Sequence, residues 1–307
     1  MANKIVVIGS SNTDMVLKTE RFPKPGETIL GGDFFVFQGG KGANQAVAAA
    51  RLGGDVSFIC KVGNDAFGSE AIQHYAKEGI ETEGILQDGQ APTGVAVITV
   101  NGQGENCIVV ASGANALLSV KDIENADFIL ENADWLITQL ETPLPVVEYL
   151  SAYAVGYKKK LILNPAPAAQ LPTTVYEGLF LITPNESEAE LLTGIEVTNE
   201  ETAKEAAAIF KARGVQNVII TLGSKGAYVD CEGYEGIVAS FQVKAIDTTA
   251  AGDVFNGALV VALAEGKGWH DAVVFACKAA SVSVTKMGAQ TSAPVRDEIE
   301  TTEVLTR

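Results

Sequence analysis

A mostly parallel β-sheet covered by helices on both faces, with a second and smaller sheet inserted, is the architecture this sequence predicts. The first observation behind it is an alternation of short β-branched runs with longer segments of helical apolar spacing, the pattern of parallel strands joined by crossover helices. The second is a pair of segments that break this rhythm, alternating apolar and polar residues about tight turns. The third is bulk: 307 residues, 47% hydrophobic and 20% charged, can bury a substantial core and do not have the composition of a disordered chain. That length accommodates one large domain or two ordinary ones.

The elements follow in order. "KIVVIG" (4–9), "DVSFICKVG" (55–63), "DWLIT" (134–138), "KLILN" (160–164), "GLFLIT" (178–183) and "NVIITLG" (217–223) read as largely buried strands. Between them, "GANQAVAAARLG" (42–53), "FGSEAIQHYAKEG" (67–79), "TPLPVVEYLSAYAVG" (142–156), "NESEAELLTG" (185–194) and "NEETAKEAAAIFKARG" (199–214) carry helical spacing, and most stop at a glycine. Residues 14–38 and 93–115 turn at Pro-Gly and Asn-Gly and read as antiparallel hairpins. Neither is long enough to fold alone, so they are expected to pair into one small sheet, a lid over a cleft.

Composition removes several function classes. With 22 basic against 38 acidic residues the net charge is −16, the wrong sign for non-specific nucleic-acid binding. A local backbone nest can still bind a phosphorylated small ligand. No apolar run approaches the roughly 20 residues of a spanning helix, the N-terminus lacks the marks of a signal peptide, and a cytoplasmic location is expected. Cys60, Cys107, Cys231 and Cys277 have no metal-finger spacing and read as thiols in a reducing compartment. With His74 and His270 the only histidines, and neither HExxH nor GxSxG, zinc proteases and serine hydrolases have little support. "VIGSSNTD" is not a dinucleotide fingerprint, and "GGKGAN" and "GSKGA" both fail the last position of a P-loop.

Other stretches carry candidate chemistry. In "QGGKGANQ" (38–45), Gly39 and Gly40 permit close backbone approach, while Lys41 and Asn44 offer donors at a helix start; a glycine turn into a core helix is the plainer alternative. In "SSNTD" (10–14), read as the end of the first strand where ligands of open α/β sheets gather, Asn12 and Asp14 lie two apart and share a face in extended chain, suited to reading hydroxyls, or are turn residues. Glu141 follows the strand "DWLIT". Asn185 and Glu188 form either a simple helix cap or, in addition, part of a hydrated Mg²⁺ site. "TLGSKGA" (221–227) is a phosphate-accommodating loop or a hairpin turn. In "DTTAAGD" (247–253), small residues opening a helix would aim N–H groups at one point, with Asp253 beside the bound negative charge as a base. The plain alternative is that Asp253 only complements the helix dipole.

These pieces in this order, from "NTD" through "GGKGANQA", "NPAP", "TPNESEAE" and "TLGSKG" to "DTTAAGDVFNGA" and "KMGAQTS", resemble the ribokinase (PfkB) family of carbohydrate kinases over essentially the whole chain. The resemblance implies a single Rossmann-like catalytic domain, 1–307, whose β-sheet lid also forms much of a homodimer contact. It implies ATP-dependent phosphorylation of D-ribose at its primary hydroxyl, with Asp253 as the base and the backbone of Ala250, Ala251 and Gly252 as the anion hole. Asn12, Asp14, Gly40, Lys41, Gly42, Asn44 and Glu141 match sugar-contacting positions. Asn185, Glu188, Thr221, Gly223, Ser224, Gly226, Gly252 and Cys277 match the ATP and Mg²⁺ side. Asp247, Thr249, Ser283, Lys286, Gly288 and Ser292 match a K⁺-holding loop pair. A deoxyribose, hexose or nucleoside acceptor, or a regulator that binds without turnover, are the readings it leaves open.

Overall fold

The computed structural model describes residues 3–302, 305 and 306. The strands are β1 (Lys4–Ile8), β2 (Asn12–Lys18), β3 (Phe34–Gly39), β4 (Asp55–Gly63), β5 (Ile85–Asp88), β6 (Gly94–Val100), β7 (Asn106–Ala111), β8 (Trp135–Thr138), β9 (Lys160–Leu163), β10 (Leu181–Ile182), β11 (Asn217–Thr221), β12 (Gly226–Cys231), β13 (Tyr234–Ala239), β14 (Phe241–Gln242) and β15 (Leu305–Thr306). The helices are α1 (Lys41–Arg51), α2 (Ala66–Lys77), α3 (Val120–Asn125), α4 (Asp127–Glu131), α5 (Leu144–Tyr157), α6 (Thr173–Tyr176), α7 (Glu186–Thr193), α8 (Glu200–Ala212), α9 (Ala251–Ala264), α10 (Trp269–Ser283) and α11 (Arg296–Thr301).

Nine strands form the central sheet in the order β13-β12-β11-β10-β9-β8-β1-β4-β5. From β11 to β5 every pairing is parallel; β12 and β13 add an antiparallel edge. Side chains alternate between two cores. Ile5, Val7, Trp135, Ile137 and Ile219 pack toward α1, α9 and α10, while Val6, Ile8, Leu136, Val218 and Ile220 pack toward α5, α7 and α8. Burial on both faces is why these strands are continuous apolar runs in the sequence.

The predicted strands and helices form within a residue or two of their expected bounds, except that 178–183 pairs only at Leu181–Ile182. Its flanks are drawn into other bonds: Gly178 takes a left-handed φ of 77° and its N–H donates to Gly214 O. The two hairpins are present, β2 with β3 and β6 with β7, and they join through a parallel β2–β6 pairing into one four-stranded sheet ordered β3-β2-β6-β7.

Beyond β1 the chain proceeds to β4 and β5 on one side, whereas β8 through β11 lie on the other. The crevice beyond the carboxyl ends of β1 and β8 is therefore the switch point at which open α/β sheets gather ligands. Both α1 and α9 start there, and α9 is buried from Asp253 to Leu263. Close helix contact sets their spacing: a Cβ on Gly257 would meet Ala48 Cβ at 2.7 Å and Gln45 O at 2.8 Å.

Candidate active site

Asp253 lies in the first turn of α9, where the leading N–H groups have no intrahelical acceptor. The residue before the helix, Ala250, holds φ 59°, ψ 12°, a left-handed conformation that costs an L-residue about 1–2 kcal/mol. A Cβ on Gly252 would enter open space, so no protein atom crowds the ligand side of this turn. The carboxylate itself is 5% exposed. Asn44 Nδ2 donates to Oδ2 at 2.9 Å and Gln45 Nε2 donates to Oδ1 at 3.0 Å. Burial raises its pKa above the ordinary carboxylate value, and Glu141 adds to the rise; Lys41 and the two amide donors oppose it.

A group of polar side chains lies near Asp253, linked to it by the Asn44 bond and by the Glu141 and Asp14 charges. Asn12 and Asp14 belong to β2, so the small sheet rather than β1 presents them, and their two-residue spacing puts them on one face. Asn12 borders a cavity of about 370 Å³ together with Asn115, Leu140 and Glu141. Glu141 Oε2 accepts from Ser10 Oγ at 2.5 Å and from the Lys41 N–H at 3.0 Å, which ties it to the start of α1. Gly40 has φ 88°, and a Cβ on Gly42 would strike Ser10 N at 2.6 Å, so both glycines are demanded by the approach of α1 to the end of β1. Asn44 Oδ1 is buried without a protein partner, an acceptor open to a ligand hydroxyl.

Three carboxylates, Asp14, Glu141 and Asp253, act on one another here with Lys41 among them. Burial, then Glu141, then Asp253 push Asp14 up to about 7. For Lys41, burial favours the neutral amine but is outweighed by Asp253, Glu141 and Glu188, and its pKa is raised.

The start of α9 borders a cavity of about 550 Å³ through Ala251 and Gly252, together with Asn185, Thr221, Gly223, Ser224, Gly226 and Cys277. Asn185 and Glu188 form a reciprocal cap on α7: the Glu188 N–H donates to Asn185 Oδ1 and the Asn185 N–H to Glu188 Oε2, each at 2.8 Å. The cap is thus realised whatever else Glu188 does. Its pKa is raised, burial outweighing that N–H bond and Lys41. "TLGSKGA" is a hairpin turn and a cavity wall at once, its short 3₁₀ turn Gly223–Lys225 joining β11 to β12. Burial pushes the Cys277 thiol up to about 12, so it stays a neutral apolar wall.

The remaining expected residues sit on two adjoining loops. Asp247 Oδ1 accepts from the Thr249 N–H and hydroxyl, and Oδ2 accepts from the Gly288 N–H at 2.8 Å. The Ile246 and Asp247 N–H groups both donate to Val284 O. Burial of Asp247 is outweighed by the bonds from Thr249 and Gly288, so its pKa is lowered. The Ser283 and Ser292 hydroxyls donate to Ala280 O and Ala289 O. Lys286 Nζ pairs with Glu298 at 2.7 Å, which turns its side chain away to α11.

Several residues at the site have no role readable from the sequence, although Gln45, Asn164, Thr183 and Asn256 lie inside the stretches "GGKGANQA", "NPAP", "TPNESEAE" and "DTTAAGDVFNGA". Ser240, Phe241, Val243 and Ser281 line the larger cavity, with Ser240 and Ser281 hydroxyls 3.1 Å apart. Asn115 is buried against Asn12, and Gln45, Gln139, Asn164, Thr183 and Asn256 form a buried amide network beneath Asp253. A polar residue at an otherwise apolar helix or strand end is the one signal that could have found them.

A cavity bordered by Asn12 and Glu141, a second bordered by Ala251 and Gly252, and the buried carboxylate of Asp253 at that small-residue helix N-terminus define a phosphotransferase of hydroxylated small molecules. The pfkB family carbohydrate kinase model matches residues 2–296, and the chain belongs to that family. It is 47% identical to the ribokinase of Haemophilus influenzae, with 97% of each chain covered. Among solved structures, it is similar to the ribokinase of Thermotoga maritima at 42% identity and TM-score 0.88, covering 97% of this chain and 98% of that one. It is likewise similar to the Arabidopsis thaliana ribokinase solved with ribose and ATP, at 32% identity, TM-score 0.90 and 98% coverage of both.

Proposed function

We propose that this protein phosphorylates D-ribose at its O5 hydroxyl, using ATP, to give ribose 5-phosphate and ADP. The observation that carries this reading is the place of Asp253, buried in the first turn of α9, whose leading residues Ala251 and Gly252 border the larger cavity, and bonded to Asn44 with Glu141 and Asp14 acting on its charge. Asn12, Asp14, Asn44 and Glu141 orient the pentose so that its primary hydroxyl faces Asp253. The carboxylate accepts the hydroxyl proton as the oxygen attacks the γ-phosphorus in line, and the bond to the bridging oxygen of ADP breaks. Backbone N–H groups of Ala250 and Gly252 receive the charge on the transferring oxygens, and that of Ala251, which donates to Thr248 O at 3.3 Å, would have to release that long bond to join them. Closure of the small sheet, as lid of a single catalytic domain, keeps water from the same phosphorus.

The donor set bears on the ions. Among the described residues, no group of three or more His, Cys, Asp or Glu is placed to hold a metal. A hydrated Mg²⁺ carried mainly by nucleotide phosphates, with Glu188 on the protein side, fits that arrangement and would neutralise phosphate charge. The Asp247–Gly288 bridge brings two carbonyl-bearing loops together beside α9, which supports K⁺ held by Asp247, Thr249, Ser283, Lys286, Gly288 and Ser292, several through backbone oxygens.

The small sheet also supports a homodimer. In register across it, Val36, Met15, Val97 and Val109 form one row on the face opposite Asp14, and Val36, Val97 and Val109 are exposed. The test of the whole reading is coupled ADP release with ribose, deoxyribose, fructose and adenosine, each with and without K⁺. Ribose should turn over best, and K⁺ should raise its rate. Absence of ADP release with every acceptor would refute the kinase reading, and preference for another acceptor would refute ribose.

A further inference from the structure

We propose that Gln45 is a positioning residue for Asp253, the head of a closed amide network that fixes the carboxylate and the adjoining helix N-terminus as one unit. The inference rests on the reading of Asp253 as the base. Gln45 is 0% exposed on α1, and its amide is fully engaged by Asp253, Asn164 and Gln139, which leaves it no group for a ligand, so it acts through Asp253. Its Nε2 donates one proton to Asp253 Oδ1 and the other to Asn164 Oδ1, both at 3.0 Å. Its Oε1 accepts from Gln139 Nε2 at 2.7 Å. These partners permit one orientation of the amide; the flipped one would set Oε1 against a carboxylate and strand the Gln139 donor.

The chain of bonds then returns to where it began. Asn164 Nδ2 donates to Thr183 O at 3.1 Å, and the Thr183 hydroxyl donates to Asn256 Oδ1 at 2.7 Å. Asn256 Nδ2 donates to Gly252 O at 2.9 Å, and Gly252 is bonded to Asp253. Gln139, Asn164 and Thr183 stand just past β8, β9 and β10, so the frame is anchored to the ends of successive parallel strands. Every amide and hydroxyl group in this loop has a partner except Gln139 Oε1, and because a buried polar group left unpaired is costly, such a network favours rigid placement.

Because Gln45 donates to the ionised form of Asp253, it opposes, together with Lys41 and Asn44, the rise in pKa that burial, Glu141, Asp14 and Glu188 impose. Removing the donor moves the pKa of Asp253 up, and the acidic limb of the kcat–pH profile moves up with it. Gln45→Met, similar in length and without a donor, should lower kcat by about tenfold to hundredfold, the scale of a hydrogen bond to a charged group, while the ribose KM changes little. Gln45→Glu should shift the limb further in the same direction and recover part of its kcat at high pH. Thr183→Val, at the far end of the loop and close in shape, keeps the test open should the Gln45 variants fold poorly; it should lower kcat without moving the limb. Variants whose limbs and kcat match the wild type, or that lose activity only in proportion to a fall in folded protein read by circular dichroism, would overturn the proposal. An inactive wild-type protein would instead overturn the kinase reading on which it rests.

Discussion

Asn115 donates a hydrogen bond from Nδ2 to Oδ1 of Asn12 at 2.8 Å, across the join between the small sheet and the main domain. The same amide brackets the backbone of Ser11, accepting from its N–H and donating to its carbonyl. With its oxygen engaged, Asn12 is left with its NH₂ as the group for the cavity, a donor for a sugar oxygen. Asn115→Asp places an acceptor against Oδ1 of Asn12 and should turn that amide over, presenting an acceptor where a donor is needed. The ribose KM should rise by about tenfold or more, with kcat much less affected. Steady-state kinetics check it, and an unchanged KM would count against Asn12 as a sugar ligand.

Asp253→Asn removes the proton acceptor but preserves shape. General-base assistance is typically worth about 10²–10⁴ in rate, so turnover should fall by about two decades or more. Calorimetric ribose affinity should stay close to wild type, because the remaining sugar contacts are untouched. Activity above a tenth of wild type, a margin of roughly one decade inside that range, would rule out Asp253 as the base.

Asp14 sets a pH dependence with a definite sign. Its folded pKa of about 7 stands well above the ordinary aspartate value of 3.8. Between those two values the native protein holds a proton that the unfolded chain has released, so Asp14's contribution to stability falls as pH rises through this window. Asp14→Asn should therefore raise the melting temperature of the ligand-free protein at pH 8, and the gain should shrink toward pH 4. Ribose binding, which calls for an ionised acceptor, should be lost in the variant and should tighten in the wild type from pH 6 to pH 8. Thermal unfolding of both proteins across pH decides the first point; a variant that melts below wild type at every pH refutes it.

What was legible in the sequence follows from local signals. Strands such as 5–8 and 135–137 were readable because burial on both faces makes an unbroken apolar run, and the hairpins because Pro-Gly and Asn-Gly turns interrupt alternating residues. The carboxylate after the small-residue loop was readable because a glycine-rich helix start is a local feature. The edge strands β12 and β13 and the helix α10 were not among the expected elements, and the strand at 178–183 was read too long. Asn115 and Gln45 were hidden for a different reason: their roles depend on partners such as Asn12 and Asp253, 103 and 208 residues away. No local periodicity encodes which distant amide a buried side chain will meet.

Gly257 controls how closely α1 and α9 approach. An added methyl would meet Ala48 Cβ at 2.7 Å and the Gln45 and Ala49 backbone at 2.8 and 3.0 Å, none of which a rotamer change can relieve. Gly257→Ala should gain a little helix propensity, about 1 kcal/mol, yet lose more to overpacking, typically about 1–3 kcal/mol. The displacement falls one turn from Asp253, so kcat should drop together with the melting temperature. A variant more stable than wild type would show that the interface gives way more easily than its backbone contacts imply.

The outer face of the small sheet predicts its own assembly. Val36, Val97 and Val109 are 46%, 52% and 67% exposed, and Phe34 and Leu17 adjoin them in register, so burying this face against a second copy removes a contiguous apolar patch from water. A carboxylate in the middle of the row would have to be desolvated without a partner, a cost of several kcal/mol that an isologous contact incurs twice. Val97→Glu should therefore sediment as a monomer at concentrations where the wild type sediments as a dimer. The sugar-facing side of β6 is untouched by this change, so catalysis in the monomer reports whether the lid needs its partner for support. A wild-type protein that sediments as a monomer at micromolar concentration would remove the dimer from the reading.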